Sequence, residues 1–182
     1  MKKDGDRRVR MTKRLLQEAL LELLEQQEIS SISVTALCDA ADVHRSTFYK
    51  YYSDPADLLE KIEQNILDQI PTPPQILDKH NQEQLLTETT AFFDFVQENK
   101  KAFRILFNEN SGSGFFARLV DFLRDGYVAA EKEPDDPATD FVHSYIANGT
   151  VGMLRKWILS DFPLDSHQIA EMMYFLSRKL NS

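Results

Sequence analysis

The chain has 182 residues, 42% of them hydrophobic, and a formal net charge of −8. That is enough apolar material for a small and a medium helical domain or one compact body, and no apolar run is long enough to span a membrane. A single cysteine excludes an internal disulfide framework, and with no signal-type stretch at the start it leads us to expect a cytoplasmic protein. The charge is unevenly placed. Residues 1–53 hold nine Lys or Arg against eight Asp or Glu, while residues 54–182 hold 12 against 21. A polyanion responds to the local field within about 8 Å at physiological salt, so the acidic total does not exclude a nucleic-acid partner.

Taken in order, residues 1–8 are expected to form a mobile basic arm. Helical spacing of Leu15, Leu16, Ala19, Leu20, Leu23 and Leu24 predicts a first helix over about 9–27. Arg8, Arg10, Lys13 and Arg14 fall in its first turns, where cations oppose the helix dipole. Contact with phosphate is a better account of them than helix stability, the alternative being a solvated face. After a short connection bearing Ile29 and Ile32, Ser33 is placed to cap a second helix whose apolar stripe is Val34, Leu37, Cys38 and Ala41. Cys38 on that stripe acts as a small buried hydrophobe. Asp42 stands where a tight turn needs a residue tolerant of the left-handed region. A third helix over about 44–52 would turn Val43, Phe48 and one of Tyr51 or Tyr52 inward. His44, Arg45, Ser46, Thr47, Tyr49 and Lys50 then face outward, a set poor as core and suited to a phosphate-lined groove.

The run VTALCDAADVHRSTFYKYYSDPADLL resembles the helix-turn-helix DNA-binding domain of TetR-family bacterial transcriptional regulators, with Ala41, Val43, Thr47, Phe48, Tyr49, Tyr51 and Leu58 in register. Three positions depart from the family pattern. Asp42 replaces the usual turn glycine, Tyr52 replaces the usual Phe, and Asp54-Pro55 stands where a lysine often opens the next helix. The DNA-binding domain that this run implies covers about a third of the chain. The resemblance implies an all-α fold: a three-helix DNA-binding domain over 1–53, a connecting helix over 54–70, and a helical bundle over 71–182 for effector binding and dimerisation.

Beyond the motif, Asp54 is a cap, Pro55 a first helical residue, and Leu58, Leu59, Ile62, Ile66, Leu67 and Ile70 continue a helix until Pro71. Pro71, Pro73 and Pro74 mark the domain boundary. Further helices are expected over 85–98, around Phe103–Phe107, over 115–132, over 137–160 and over 166–180, with a loop at 110–114. Aromatic residues crowd this half. They serve either as plain core or, as the resemblance implies, as walls of a small-molecule pocket formed by Phe93, Phe103, Phe107, Tyr127, His143, Tyr145 and Asn148. Gly149 and Gly152 lie mid-helix, where each costs about 1 kcal/mol relative to alanine. Their reason is close packing, either within one subunit or across the two-fold axis of a TetR-like dimer. The dimer reading enlists Gly149, Gly152, Met153, Trp157, Met172, Phe175 and Leu176.

Enzyme chemistry finds no support. His44, His80, His143 and His167 are scattered without metal-ligand spacing, the cysteine has no spaced partner, and 110–114 lacks the Lys-Ser/Thr of a phosphate loop. No catalytic residue, metal or cofactor is expected. The expected protein is a homodimeric regulator, a repressor released from a near-palindromic double-stranded operator by a small-molecule effector. Arg45 and Thr47 would meet base edges, with Thr35, His44, Ser46, Tyr49, Lys50, Tyr52, Arg8, Arg10 and Lys13 completing the contact with DNA. The alternatives are an activator or a factor working with a protein coregulator, and a dimeric binding module that has lost its operator.

Overall fold

The computed structural model describes residues 2–71, 82–108, 112–130 and 137–180. Pro73, Pro74, the acidic pair Asp135-Asp136 and part of the 110–114 loop lie outside the described residues. Among those described, all regular structure is helical: α1 (Lys2–Leu24), a 3-10 turn (Ile29–Ser31), α2 (Val34–Ala40), α3 (Arg45–Phe48), α4 (Pro55–Leu67), α5 (Gln82–Glu98), α6 (Lys100–Leu106), α7 (Phe115–Ala130), α8 (Pro137–Leu159) and α9 (Ser166–Leu180). Several helix ends differ from expectation by a few residues, two of them in the motif and the helix before it. The helix expected from residue 9 begins at Lys2, so residues 2–8 are its first turns and not a separate arm. That stretch holds no proline, and once the downstream apolar stripe has nucleated a helix, extension costs little beyond about 1 kcal/mol for Gly5. The helix expected over 44–52 closes after one regular turn and continues as turns through Tyr51.

The described chain divides into two compact units, Met1–Ile66 with Ile105–Ser113, and Leu67–Arg104 with Gly114–Ser182. In the first, α1 packs on α2 and α2 on α3. Leu16, Leu20 and Leu24 of α1, Leu37 and Cys38 of α2, Phe48 of α3 and Leu58, Leu59 and Ile62 of α4 are buried. Ile105, Leu106 and Phe107 are buried as well. The later segment is fastened at its end, where the Ser113 hydroxyl donates to the buried Glu63 carboxylate at 2.7 Å. Gly112 lies at φ +65°, and a Cβ there would come within 3.1 Å of Ile29 Cγ2, so both backbone and space call for glycine.

In the second unit α5 packs along α9 and α7 along α8. Edge-to-face aromatic contacts link the helices. Phe93 meets Trp157 with ring centroids 5.3 Å apart, Trp157 meets Phe162 at 4.7 Å, and Phe103 meets Phe115 at 5.6 Å. The end of α8 is tightly folded: Phe162 N–H donates to the Trp157 carbonyl at 3.0 Å, Asp161 N–H to that of Ile158 at 3.2 Å, and both residues have positive φ. Arg104 holds this turn by pairing with Asp161 and stacking 5.5 Å over the Phe162 ring.

A similar device sets the angle between α2 and α3. Ser33 Oγ accepts the Ala36 N–H at 3.1 Å to start α2. At the other end Val43 N–H donates to the Cys38 carbonyl at 3.0 Å and Asp42 N–H to that of Asp39 at 3.3 Å, with Asp42 at φ +52°. The left-handed residue closes the helix and turns the chain toward α3. Because a side chain at that φ is strained, Asp42→Gly should raise stability by about 0.5–1 kcal/mol, seen as a higher denaturant midpoint at unchanged slope. A lower midpoint would mean that the aspartate side chain holds the turn.

Candidate nucleic-acid interface

A four-residue helix cannot hold its own shape, so the interface starts from what pins α3 down. Phe48 is completely buried and meets Tyr49 and Tyr52 with ring centroids 5.5 and 5.7 Å away. The His44 carbonyl accepts from the Thr47 and Phe48 N–H groups at 2.8 and 3.1 Å, and the Phe48 carbonyl accepts from those of Tyr51 and Tyr52 at 2.9 and 3.1 Å. With its inner side fixed in this way, the segment presents His44, Arg45, Ser46, Tyr49 and Lys50 to solvent, with Thr47 half-buried. Tyr49 keeps 59% of its surface exposed although its ring edge touches the core phenylalanine.

The other residues expected to touch DNA are spread over two helices. Arg8, Arg10 and Lys13 are exposed on α1, and Thr35 is half-buried in the first turn of α2. Arg14 pairs with Glu18 at 2.7 Å along the same helix, which raises the affinity of its guanidinium for its proton. One assignment is corrected: Tyr52 is only 5% exposed, because its ring completes the core beside Phe48. Of the two adjacent tyrosines it is Tyr51 that stands half out, with the Lys13 ammonium 5.4 Å above its ring.

Sequence reasoning missed a second cation at this end of the unit. Lys61 of α4 lies 2.8 Å from Asp57 Oδ1, donates to the Tyr51 carbonyl at 3.2 Å and stands 5.1 Å over the Tyr52 ring. Asp57 also accepts the Ser53 N–H at 2.8 Å, and Asp54 accepts that of Asp57 at 2.8 Å as the helix cap. The four-residue spacing of Asp57 and Lys61 was the available signal.

The residues expected to line an effector pocket fall in different settings. Phe93, Phe103, Tyr127 and His143 are buried in the second unit, with the Tyr127 and His143 rings 6.2 Å apart. Burial pushes the Tyr127 phenol up to about 12, despite the neighbouring Thr150. Tyr145, however, is 64% exposed, and the exposed Asn148 amide donates back to the Ser144 carbonyl at 2.8 Å. Phe107 belongs to the first unit. α8 carries apolar residues on several sides, so spacing alone could not assign its faces.

Among the residues enlisted for a dimer, Gly149 and Gly152 are exposed, and a Cβ at either would meet no atom within 4 Å. Met172, Phe175 and Leu176 of α9 are exposed and Met153 is half-buried. Trp157 is the exception: it is buried, and its indole N–H donates to the Leu164 carbonyl at 2.9 Å, so it serves the subunit core. Phe141, Tyr145 and Leu159 extend the apolar face of α8 that the glycines share. Among the described residues no helix is long and apolar enough to cross a membrane, and no group of three or more His, Cys, Asp or Glu is placed to hold a metal.

A TetR-type family model, described as a transcriptional regulator C-terminal region, matches residues 83–179, just over half of the chain. The chain belongs to the TetR family of transcriptional regulators. Solved structures share the fold at low identity. A TetR transcriptional regulator from Streptococcus agalactiae aligns with a TM-score of 0.69 and 18% identity over 97% of this chain and 99% of its own. The dihydroxyacetone kinase operon activator DhaS aligns at 0.60 and 17% over 93% and 95%. NalD of Pseudomonas aeruginosa, the secondary repressor of the MexAB-OprM multidrug efflux pump, aligns at 0.61 and 15% over 94% and 96%. No curated protein matches the sequence itself.

In this TetR-family chain Asp57 is held below the ordinary aspartate value by the Lys61 ammonium first and the Ser53 N–H second. A depressed value means a contribution to stability that is present above the unfolded value of about 3.9 and lost as pH falls through the folded one. A carbon-detected titration should place the Asp57 midpoint below about 3.9, and Lys61→Met should return it toward that value. A midpoint already at or above it in the parent protein would contradict the pairing.

Proposed function

We propose that the protein is a homodimeric, sequence-specific DNA-binding repressor released from a near-palindromic operator by a small-molecule effector. The observation that carries this reading is the exposed row His44, Arg45, Ser46, Tyr49 and Lys50 on a segment anchored by the buried Phe48. A short helix with donors outward and an aromatic root inward suits insertion into a major groove. Arg45 and Thr47 are assigned to base edges. Thr35, His44, Ser46, Tyr49, Lys50, Arg8, Arg10 and Lys13 are assigned to phosphate and sugar, which fix register without carrying sequence. Tyr52 is assigned to the fold alone.

The dimer reading rests on the α8 and α9 face. Phe141, Tyr145 and Leu159 on α8, and Met172, Phe175 and Leu176 on α9, expose large apolar side chains of the kind that mark an interaction surface. Two glycines in the same face, each with open space where a Cβ would stand, have no packing role inside the subunit. A second copy approaching closely gives them one. For the effector, the buried polar groups Tyr127, His143 and Thr150 among the aromatics of the second unit are the natural place for a ligand's polar atoms. The chain crosses between units after Ile66, after Arg104 and after Ser113. An effector preferring one arrangement of the DNA-binding units would act through the connecting helix that ends at the first of these crossings, by no more than its differential affinity.

An activator is the second reading, favoured by the name of one solved neighbour, the operon activator DhaS. Transcription from a promoter carrying the bound sequence separates the two: added protein lowers it for a repressor and raises it for an activator.

Arg45→Ala should weaken binding to a cognate duplex by about 1–3 kcal/mol and relax preference at one base pair per half-site, measured by anisotropy against single-base variants. Equal weakening on cognate and scrambled duplexes would move Arg45 to the phosphate set. Gly149→Leu should shift sedimentation from dimer to monomer with helical content retained, since leucine is the better helix former by close to 1 kcal/mol. An unchanged dimer would place the interface elsewhere.

A further inference from the structure

Lys61 is the cation closest in sequence after the recognition segment, and near the DNA-facing end of a regulator a lysine is ordinarily assigned to phosphate. Its surroundings argue otherwise. The ammonium has three donors, and two are directed at partners in its own unit, the Asp57 carboxylate and the Tyr51 carbonyl. The same charge stands over the Tyr52 ring at 5.1 Å. The Tyr51 carbonyl lies in the last turn after α3, where carbonyls lack an intrahelical partner and a cation is favoured. Asp57, the other pole, accepts the Ser53 N–H at 2.8 Å. One lysine and one aspartate thus hold three consecutive residues, Tyr51, Tyr52 and Ser53, by a carbonyl, a ring and an amide.

Those three residues are the exit of the recognition segment. Tyr52 leads into the core, while Tyr51 carries Lys13 of α1 above its ring. Where the segment leaves α3, its direction decides how Lys50 and Tyr49, one and two positions before Tyr51, are presented. Phe48 fixes the depth of the segment but, as a single anchor, leaves rotation about itself to be set by the exit. The opening of α4, Asp54-Pro55-Ala56, carries no cation that could do this.

We propose that Lys61 is a positioning residue for DNA recognition: through Asp57, the Tyr51 carbonyl and the Tyr52 ring it fixes the exit of the recognition segment on α4, and it does not contact phosphate. This deepens the DNA-binding reading and rests on it for its functional half. Its structural half stands without DNA.

The test uses the full chain and has two arms. In the first, without DNA, hydrogen exchange at the Ser53 amide is followed in the parent, Lys61→Met, Lys61→Arg and Asp57→Asn. Faster exchange at Ser53 in Lys61→Met and Asp57→Asn, with amides of α1 and α2 unchanged, is the expected result. Unchanged Ser53 exchange in Lys61→Met overturns the proposal. In the second arm, binding to a duplex recovered by the parent protein from a random pool is titrated from low to high salt beside a scrambled duplex. Lys61→Met should lose about tenfold in cognate affinity while the slope of log affinity against log salt stays at the parent value. Lys50→Ala should flatten that slope by about one ion per subunit. Lys61→Arg should recover part of the loss, and Lys61→Met in the Asp57→Asn background should add little further loss, because both substitutions break one clasp. A Lys61→Met slope that falls as Lys50→Ala does would make Lys61 a phosphate ligand and overturn the proposal, as would cognate affinity within twofold of the parent. A parent protein that recovers no duplex at all would count against the DNA-binding reading, and the exchange arm would still decide whether Lys61 holds the segment.

Discussion

The recognition surface depends on the burial of one side chain, Phe48. Four helical residues are far below the length at which a helix is stable alone, so the outward row on α3 exists only while its inner side is held. Phe48 is fully buried, and truncating such a residue to alanine costs about 3–5 kcal/mol. Everything else around α3 refines the orientation this anchor permits. The left-handed Asp42 sets the entry, and the Lys61–Asp57 pair and Tyr52 set the exit. A helix this short has few internal degrees of freedom once both ends are tied, which suits the contact with base edges proposed for it.

The two units have opposite surface character. The first offers a polar and basic row on a buried aromatic root. The second exposes large apolar side chains on α8 and on α9, while acidic residues such as Asp121 and Asp125 around Arg124 stay in solvent. The arrangement accounts for a DNA-binding chain whose overall charge is −8. The field that matters at a phosphate is local, and the acid is concentrated in the half of the chain that would meet a second copy and an effector. The glycines at 149 and 152 fit the same division, being costly in an isolated helix and useful only where another backbone approaches.

Helix periodicity made most of this legible from the sequence. Ser33, Asp42 and the stripe of α2 gave the turn and its cap, and the outward set of α3 followed from the same spacing. What was not legible had physical reasons. Tyr51 and Tyr52 are chemically alike and adjacent, so which of them closes the core depends on the chain's departure from α3 and not on pattern. The start of α1 was obscured because its polar residues match a disordered arm as well as a helix. On α8 the apolar residues surround the axis, so Trp157 went to the interface when it belongs to the core, and Tyr145 and Asn148 went to a pocket when they face outward. The spacing of Asp57 and Lys61 showed their pairing, but the further contacts of Lys61 with the Tyr51 carbonyl and the Tyr52 ring depend on how the chain folds back and no pattern reports them.

The most direct measurement is a selection of duplexes from a random pool by the full-length protein at a stated near-physiological salt, with its oligomeric state measured in the same buffer. The account predicts a dimer that enriches a near-palindromic site, its two half-sites one or a few helical turns apart. A folded dimer that enriches no sequence over the starting pool would contradict it.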